Sequence, residues 1–414
     1  MKLDIMYEID APKPWDGEHP YGQRNAEQKA YKNTLEQVRL ADQVGFNTVW
    51  LVEHHFREGR SHCPASDVVH GAFSQITENI RLGFGVCLMP HEFTPPMRVA
   101  EKVATVDVLS GGRVEWGTGR STPMEQMAFG VDIERSKEKA QAAIKSVVGM
   151  WGEEYYEEHS EFLDFPRRMV TPKPVQDPHP APWMAATSEG SSELAGSLGM
   201  GLLSFAILQP VSSMAKTIGA YRDAAAKAQP ITKVRNDRVA AYTLAHCAPT
   251  MSKAEENDVW ESVWWWYHNL AQFTLEWEFS HLPQDQQDKY FPFLKQHADG
   301  DFDPRAFNDM DMIIVGDPDQ CMEKVLKYES IGVDQLICYQ TFGHLEHEAV
   351  MQSIELLGKE IAPELEKRGH RVEVHAPNPE LQNGSRADEL ANAPQEYLEA
   401  HEAAKAAAKA ASTD

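Results

Sequence analysis

The chain has 414 residues, 42% hydrophobic and 25% charged, a composition that supports a folded core and excludes a wholly disordered polypeptide. With 39 Lys and Arg against 63 Asp and Glu, the formal net charge is −24, which repels phosphate backbones and anionic bilayers and argues against nucleic-acid or membrane partners. Five scattered cysteines (Cys63, Cys87, Cys247, Cys321, Cys338), none in Cys-x-x-Cys spacing, read as reduced core residues of a cytoplasmic protein rather than a disulfide framework or zinc site.

In chain order, a strand pattern over residues 3–7 begins almost at once, leaving no room for a signal-peptide core before it. A Pro- and Gly-rich loop over 10–23 leads to a helix in which Leu35, Val38 and Ala41 keep helical spacing until Gly45. The β-branched and aromatic run Thr48-Val49-Trp50-Leu51-Val52 predicts a second strand, which stops abruptly at Glu53-His54-His55-Phe56. A helix over 65–77, a strand over 80–87, a helix over 97–109 and a strand over 113–117 continue the alternation. After a helix near 135–150 comes an acidic, aromatic stretch over 153–165 with the pattern of a hairpin, and then a Pro-rich segment up to 182. Strands resume at 182–186, 201–205, 239–248 and 334–339, with helices near 191–197, 211–227, 317–330 and 345–366.

Eight strand-then-helix repeats within residues 1–368 predict an α/β chain folded as a (β/α)8 TIM barrel. A doubly wound sheet is disfavoured, because no Gly-x-Gly-x-x-Gly follows the first strand. The largest insertion, 255–309, is rich in aromatics. Within it Trp260, Trp264 and Tyr267 share helical spacing, which fits a helix buried against the barrel or a dimer partner, or a lid over an apolar substrate. From 369 to 414 the periodicity fades into an Ala-rich C-terminal tail, expected to be partly helical or disordered and to carry no chemistry.

If the barrel forms, residues after strands two, four and five meet at the carboxyl face, where such folds keep their chemistry. Successive strand residues point to opposite sides, so one of His54 and His55 enters a site there and the other does not, which argues against a two-histidine metal centre. Arg120, behind Gly117-Thr118-Gly119, presents a planar fork suited to a phosphate or to a structural ion pair. The residues from Ser188 to Ser192 can cap the following helix, or offer donors to an anion at its positive end. Together they suggest a cofactor phosphate at the barrel mouth.

These residues resemble the bacterial luciferase-like family of flavin-dependent monooxygenases, over roughly residues 1–366. The run from Gly45 through Glu53-His54-His55-Phe56 is similar to the family's second-strand motif, Leu109-Ser110-Gly111-Gly112-Arg113 to its entry to strand four, and Gly119-Arg120 to its flavin-phosphate arginine. The resemblance implies that His54 is the active-site histidine, with Glu53 orienting a histidine or supporting the turn. It implies that Arg120, Ser188 and Ser191 hold the phosphate of FMN. It also implies that Gly85 and Val86 lie beneath the isoalloxazine ring, joined by a non-proline cis peptide. Thr187 stands where the luciferase subunit carries an acidic residue, a departure at that edge of the site.

Chemically, the resemblance implies that reduced FMN (FMNH2) reacts with O2 to give a C4a-hydroperoxide that oxygenates a small organic substrate. With no nicotinamide fingerprint in the sequence, reduced flavin is expected from a separate flavin reductase, and a homodimer is expected by family likeness. The alternatives are an F420-dependent oxidoreductase that transfers hydride, and a non-catalytic flavin-binding or partner subunit.

Overall fold

The computed structural model describes residues 1–205, 207 and 209–369; the tail expected over 370–414 lies outside the described residues. The first half runs β1 (Lys2–Tyr7), α1 (Tyr21–Gln43), β2 (Thr48–Leu51), α2 (Ser66–Ile76), β3 (Arg81–Phe84), β4 (Cys87–Leu88), α3 (Pro96–Ser110), β5 (Val114–Gly119), α4 (Pro123–Ala128) and α5 (Ser136–Gly152). A hairpin of β6 (Tyr156–His159) and β7 (Asp164–Arg168) separates it from β8 (Ala181–Ala186), α6 (Glu189–Ser197), β9 (Gly201–Ser204), α7 (Val211–Ala225) and β10 (Val239–Cys247). Helices α8 (Met251–Glu256), α9 (Val259–Trp277), α10 (Gln284–Tyr290), α11 (Pro292–Ala298) and α12 (Arg305–Asp309) then precede β11 (Ile314–Gly316), α13 (Pro318–Ser330), β12 (Gln335–Tyr339), α14 (His347–Leu356) and α15 (Ala362–Arg368).

Parallel pairing in the order β1, β2, β3, β5, β8, β9, β10, β12 and back to β1 closes an eight-stranded TIM barrel. The expected single strand over 80–87 is divided: β3 ends at Phe84, the Gly85–Val86 peptide is cis, and β4 pairs separately with β5. Among the elements not anticipated are β11, which adds to the carboxyl end of β10, and the short helix α4. A π-helical turn at Leu357–Ile361 interrupts the expected final helix between α14 and α15.

Alternation along the strands sorts side chains into two cores. Leu3, Ile5, Val49 and Leu51 face outward onto the helices, while Met6, Trp50, Trp183, Tyr242 and Tyr339 fill the interior and continue upward against α9. All five cysteines are buried and free. The amino end of the barrel is plugged by a polar network: Trp50 and Gln335 donate to Asp4 at 2.8 and 2.7 Å, and Arg81, Arg238 and Trp183 donate to Glu115 at 2.6, 2.9 and 2.7 Å. Two guanidinium partners outweigh the burial of Glu115 and bring its pKa down to about 2, whereas burial dominates at Asp4 and raises it to about 6.

The 255–309 segment is helical, and its buried face only partly coincides with the aromatic stripe read from sequence. Val259, Val263, Trp266 and Tyr267 are buried, while Trp260 and Trp264 are half-buried, with Trp264 stacked on His297 at 3.6 Å. No helix among the described residues is long and apolar enough to cross a membrane.

His70 on α2 is fully buried, donates from Nε2 to the Gly83 carbonyl at 3.1 Å, and leaves Nδ1 without a partner. Burial lowers its pKa to about 3, against the opposing pull of that carbonyl. Neutral His70 therefore contributes stability that is complete above the unfolded value near 6.5 and is lost as pH falls towards 3, at about 1.4 kcal/mol per pH unit. Urea unfolding of His70→Gln at pH 6.5 and 4.5 should accordingly fall less steeply than the parent, by roughly 1 kcal/mol per unit. Parallel slopes would mean that the imidazole is not held neutral.

Candidate active site

The carboxyl ends of the strands open into a cavity of about 610 Å³. Its lining joins residues far apart in sequence: Glu53 and His54 after β2, Gly85 and Val86 between β3 and β4, Arg120 after β5, and Ser191 in the first turn of α6. The glycines make this crowding possible. A Cβ on Gly119 would come within 2.4 Å of Val86 Cγ2, and one on Gly117 within 1.9 Å of the Phe84 carbonyl oxygen.

His54 turns towards the cavity and His55 away from it, the His55 ring packing edge-on to Phe129 at 4.9 Å. His54 Nδ1 lies 3.0 Å from Glu125 Oε1, and the same oxygen accepts the His55 backbone N–H at 2.6 Å. A carboxylate only accepts, so the His54 proton sits on Nδ1 and Nε2 is the free base. Burial and the neighbouring Arg57 charge depress the His54 pKa below its ordinary value, opposed by Glu125 and Glu8. Burial of Glu125 is outweighed by His54, Arg57 and Ser121, which hold its carboxyl well below the usual range.

Glu125 was missed from sequence. Its signal is the capping box Thr122-Pro123-Met124-Glu125 that opens α4, where Glu125 Oε2 accepts from Thr122 Oγ1 at 3.0 Å and from Ser121 Oγ. Glu53 is differently placed. Its carboxylate accepts from Ser66 at 3.0 Å, lies 3.8 Å from Lys102 and 3.8 Å from His55 Nε2, and has no hydrogen bond to His54.

Arg120 is exposed at the cavity edge, with one hydrogen bond from Nη1 to Ser136 Oγ at 2.9 Å. Lys137 and Thr187 line the same end. Ser188 is the N-cap of α6, accepts the Ser191 N–H at 3.3 Å, and stands outside the cavity lining, whereas Ser191 is part of it. Glu189, in the first turn of α6, pairs with Lys216 at 2.9 Å. The polar end fits an anionic phosphate, and Val86, Leu88, Met89 and Met184 form an apolar wall that fits a flat ring system. Among the described residues no cluster of His, Cys, Asp or Glu has the arrangement of a metal centre.

Known proteins share both sequence and fold with this chain. The chain is 24% identical over 348 residues to the oxygenase component of flavin-dependent trigonelline monooxygenase from Acinetobacter baylyi, covering 82% of this chain and 91% of that protein. Its fold is similar to the oxygenating constituent of 3,6-diketocamphane monooxygenase from Pseudomonas putida, solved with FMN (TM-score 0.63, 18% identity, 88% and 98% of the two chains). It is nearly as similar to the F420-dependent tetrahydromethanopterin reductase of Methanopyrus kandleri (TM-score 0.61, 18% identity, 88% and 99%), so the fold by itself does not choose between the two cofactors. The family profile described as luciferase-like monooxygenase matches residues 16–335, most of the barrel and its mouth. With that match spanning the histidine, the cis peptide and the arginine alike, the chain belongs to the luciferase-like monooxygenase family.

Proposed function

We propose that this chain is the oxygenase of a two-component system, taking reduced FMN from a separate flavin reductase and using O2 to oxygenate a small organic substrate. It acts in the cytoplasm as a homodimer, with residues 1–368 as the catalytic unit. The observation that carries this reading is that His54, held by Glu125, opens onto the same cavity as the Gly85–Val86 peptide and Arg120. Reduced FMN, when bound, supplies the electrons that activate oxygen.

The chain's own residues do the rest. Arg120 and Ser191 anchor the phosphate, with Ser188 setting the start of α6. Gly85 and Val86 support the ring, and His54 holds or moves a proton at Nε2. Trp266, Phe279 and Phe291 wall the cavity and exclude water from it.

Stopped-flow mixing of the FMNH2-loaded protein with O2, followed by flavin absorbance, tests the reading. The expected course contains a protein-dependent step that free FMNH2 lacks. Hydride transfer to or from F420 without oxygen uptake would replace the proposal with the deazaflavin reading, and FMN binding with a free-flavin oxidation course would leave a non-catalytic subunit.

A further inference from the structure

We infer that Arg57 and Arg60 form a receptor for the carboxylate of an aromatic acid, which the oxygenase reading would make the substrate. The inference rests on that reading for the word substrate but not for the binding site. The two side chains are only 5% and 8% exposed, and both line the cavity that His54 enters. Arg57 Nε and Arg60 Nε and Nη1 have no hydrogen-bond partner, and on the same cavity neither do Tyr242 OH and Trp266 Nε1. A buried donor left unpaired is destabilising, and more so on a charged group, so several gathered on one wall point to an acceptor that arrives with a ligand.

The carboxylates nearby do not meet that need. Glu8 Oε1 takes Arg60 Nη2 at 2.9 Å, while Glu8 Oε2 remains unpartnered. Glu125 Oε1 lies 3.8 Å from Arg57 Nε, beyond hydrogen-bond reach, and is occupied by His54 and His55. Asp10 accepts from Ser61 N and Tyr339 OH. Glu278 lines the cavity without a hydrogen bond to either arginine.

Both guanidinium planes are set in advance by one face of α9. The Arg60 carbon sits 4.9 Å from the Trp266 ring and the Arg57 carbon 4.5 Å from Phe273, residues two helical turns apart. Stacked, planar and rich in N–H donors, such forks match a carboxylate, which is planar and purely accepting. Phe205, Phe279 and Phe291 on the same cavity supply the apolar surface for an aromatic body.

Calorimetric titration of the FMN-loaded protein with benzoate and with its neutral isostere benzamide tests the inference. Benzoate should bind at least about tenfold tighter, a difference of about 1.4 kcal/mol. In Arg57→Met that preference should vanish while FMN affinity stays within about twofold, and Arg57→Lys, which keeps the charge but not the fork, should retain only part of it. Equal binding of benzoate and benzamide by the parent overturns the inference and leaves the oxygenase reading standing. Loss of FMN affinity in Arg57→Met equal to the loss of benzoate affinity also overturns it, by assigning the arginines to the flavin. If the protein takes up no FMN, the functional reading fails, and the same titration of the flavin-free protein decides the anion site alone.

Discussion

Replacing His54 by alanine is expected to slow oxygenation by about 10²-fold or more, the scale on which loss of a positioned acid or base is felt. The fold should survive, because Glu125 keeps its bonds to the His55 backbone, Thr122 and Ser121 when the imidazole is gone. In the proposed reaction His54 handles the proton under two influences. Burial and Arg57 keep it neutral, and Glu125 fixes which ring nitrogen carries the proton. In Glu125→Gln the carboxylate no longer raises the His54 pKa, so the acid limb of the pH–rate profile should move to lower pH while kcat falls and KM holds. A His54→Ala enzyme with the parent's turnover would remove this histidine from the chemistry. An unmoved acid limb in Glu125→Gln would assign that limb to another group.

The second large effect concerns the cofactor. Arg120→Ala should weaken FMN binding by roughly 10- to 100-fold, the worth of a charge-assisted hydrogen bond to a phosphate. The melting temperature of the flavin-free protein should barely change, because Arg120 is exposed and donates one bond to Ser136. Quenching of FMN fluorescence gives the affinity and a thermal scan of flavin-free protein gives the stability. If stability falls while FMN affinity does not, Arg120 is a structural residue and the phosphate lies elsewhere.

The barrel was legible because its signals are local and repeated. Each strand is a short apolar run, each helix has a 3.6-residue stripe, and glycines such as Gly45 and Gly111 mark the ends, both observed at positive φ. Convergence of the loops after β2, β5 and β8 follows from that topology, which is why His54, Arg120 and Ser191 could be grouped before their positions were known. Glu125 escaped because its local pattern is fully explained as a helix cap, and its second role depends on a partner 71 residues away. The α9 aromatics misled for a related reason. Neighbouring stripes of a Trp-rich helix have nearly equal hydrophobicity, and the burial of Trp266 rather than Trp260 and Trp264 is decided by partners on other elements, Tyr242 and Arg60. Arg57 and Arg60 belong to no motif singled out in the sequence, and only the folded cavity reveals donors without acceptors.

Glu125 ties the local architecture of α4 to the state of an imidazole in one side chain. Shortening it to aspartate would loosen the helix start, the backbone at His55 and the ring tautomer together, so drift at this position is penalised in folding as well as in catalysis. Tuning His54 basicity, by evolution or by design, therefore disturbs the start of α4 less through a charge that acts on it from a distance, such as Glu8, than through the residue that grips it.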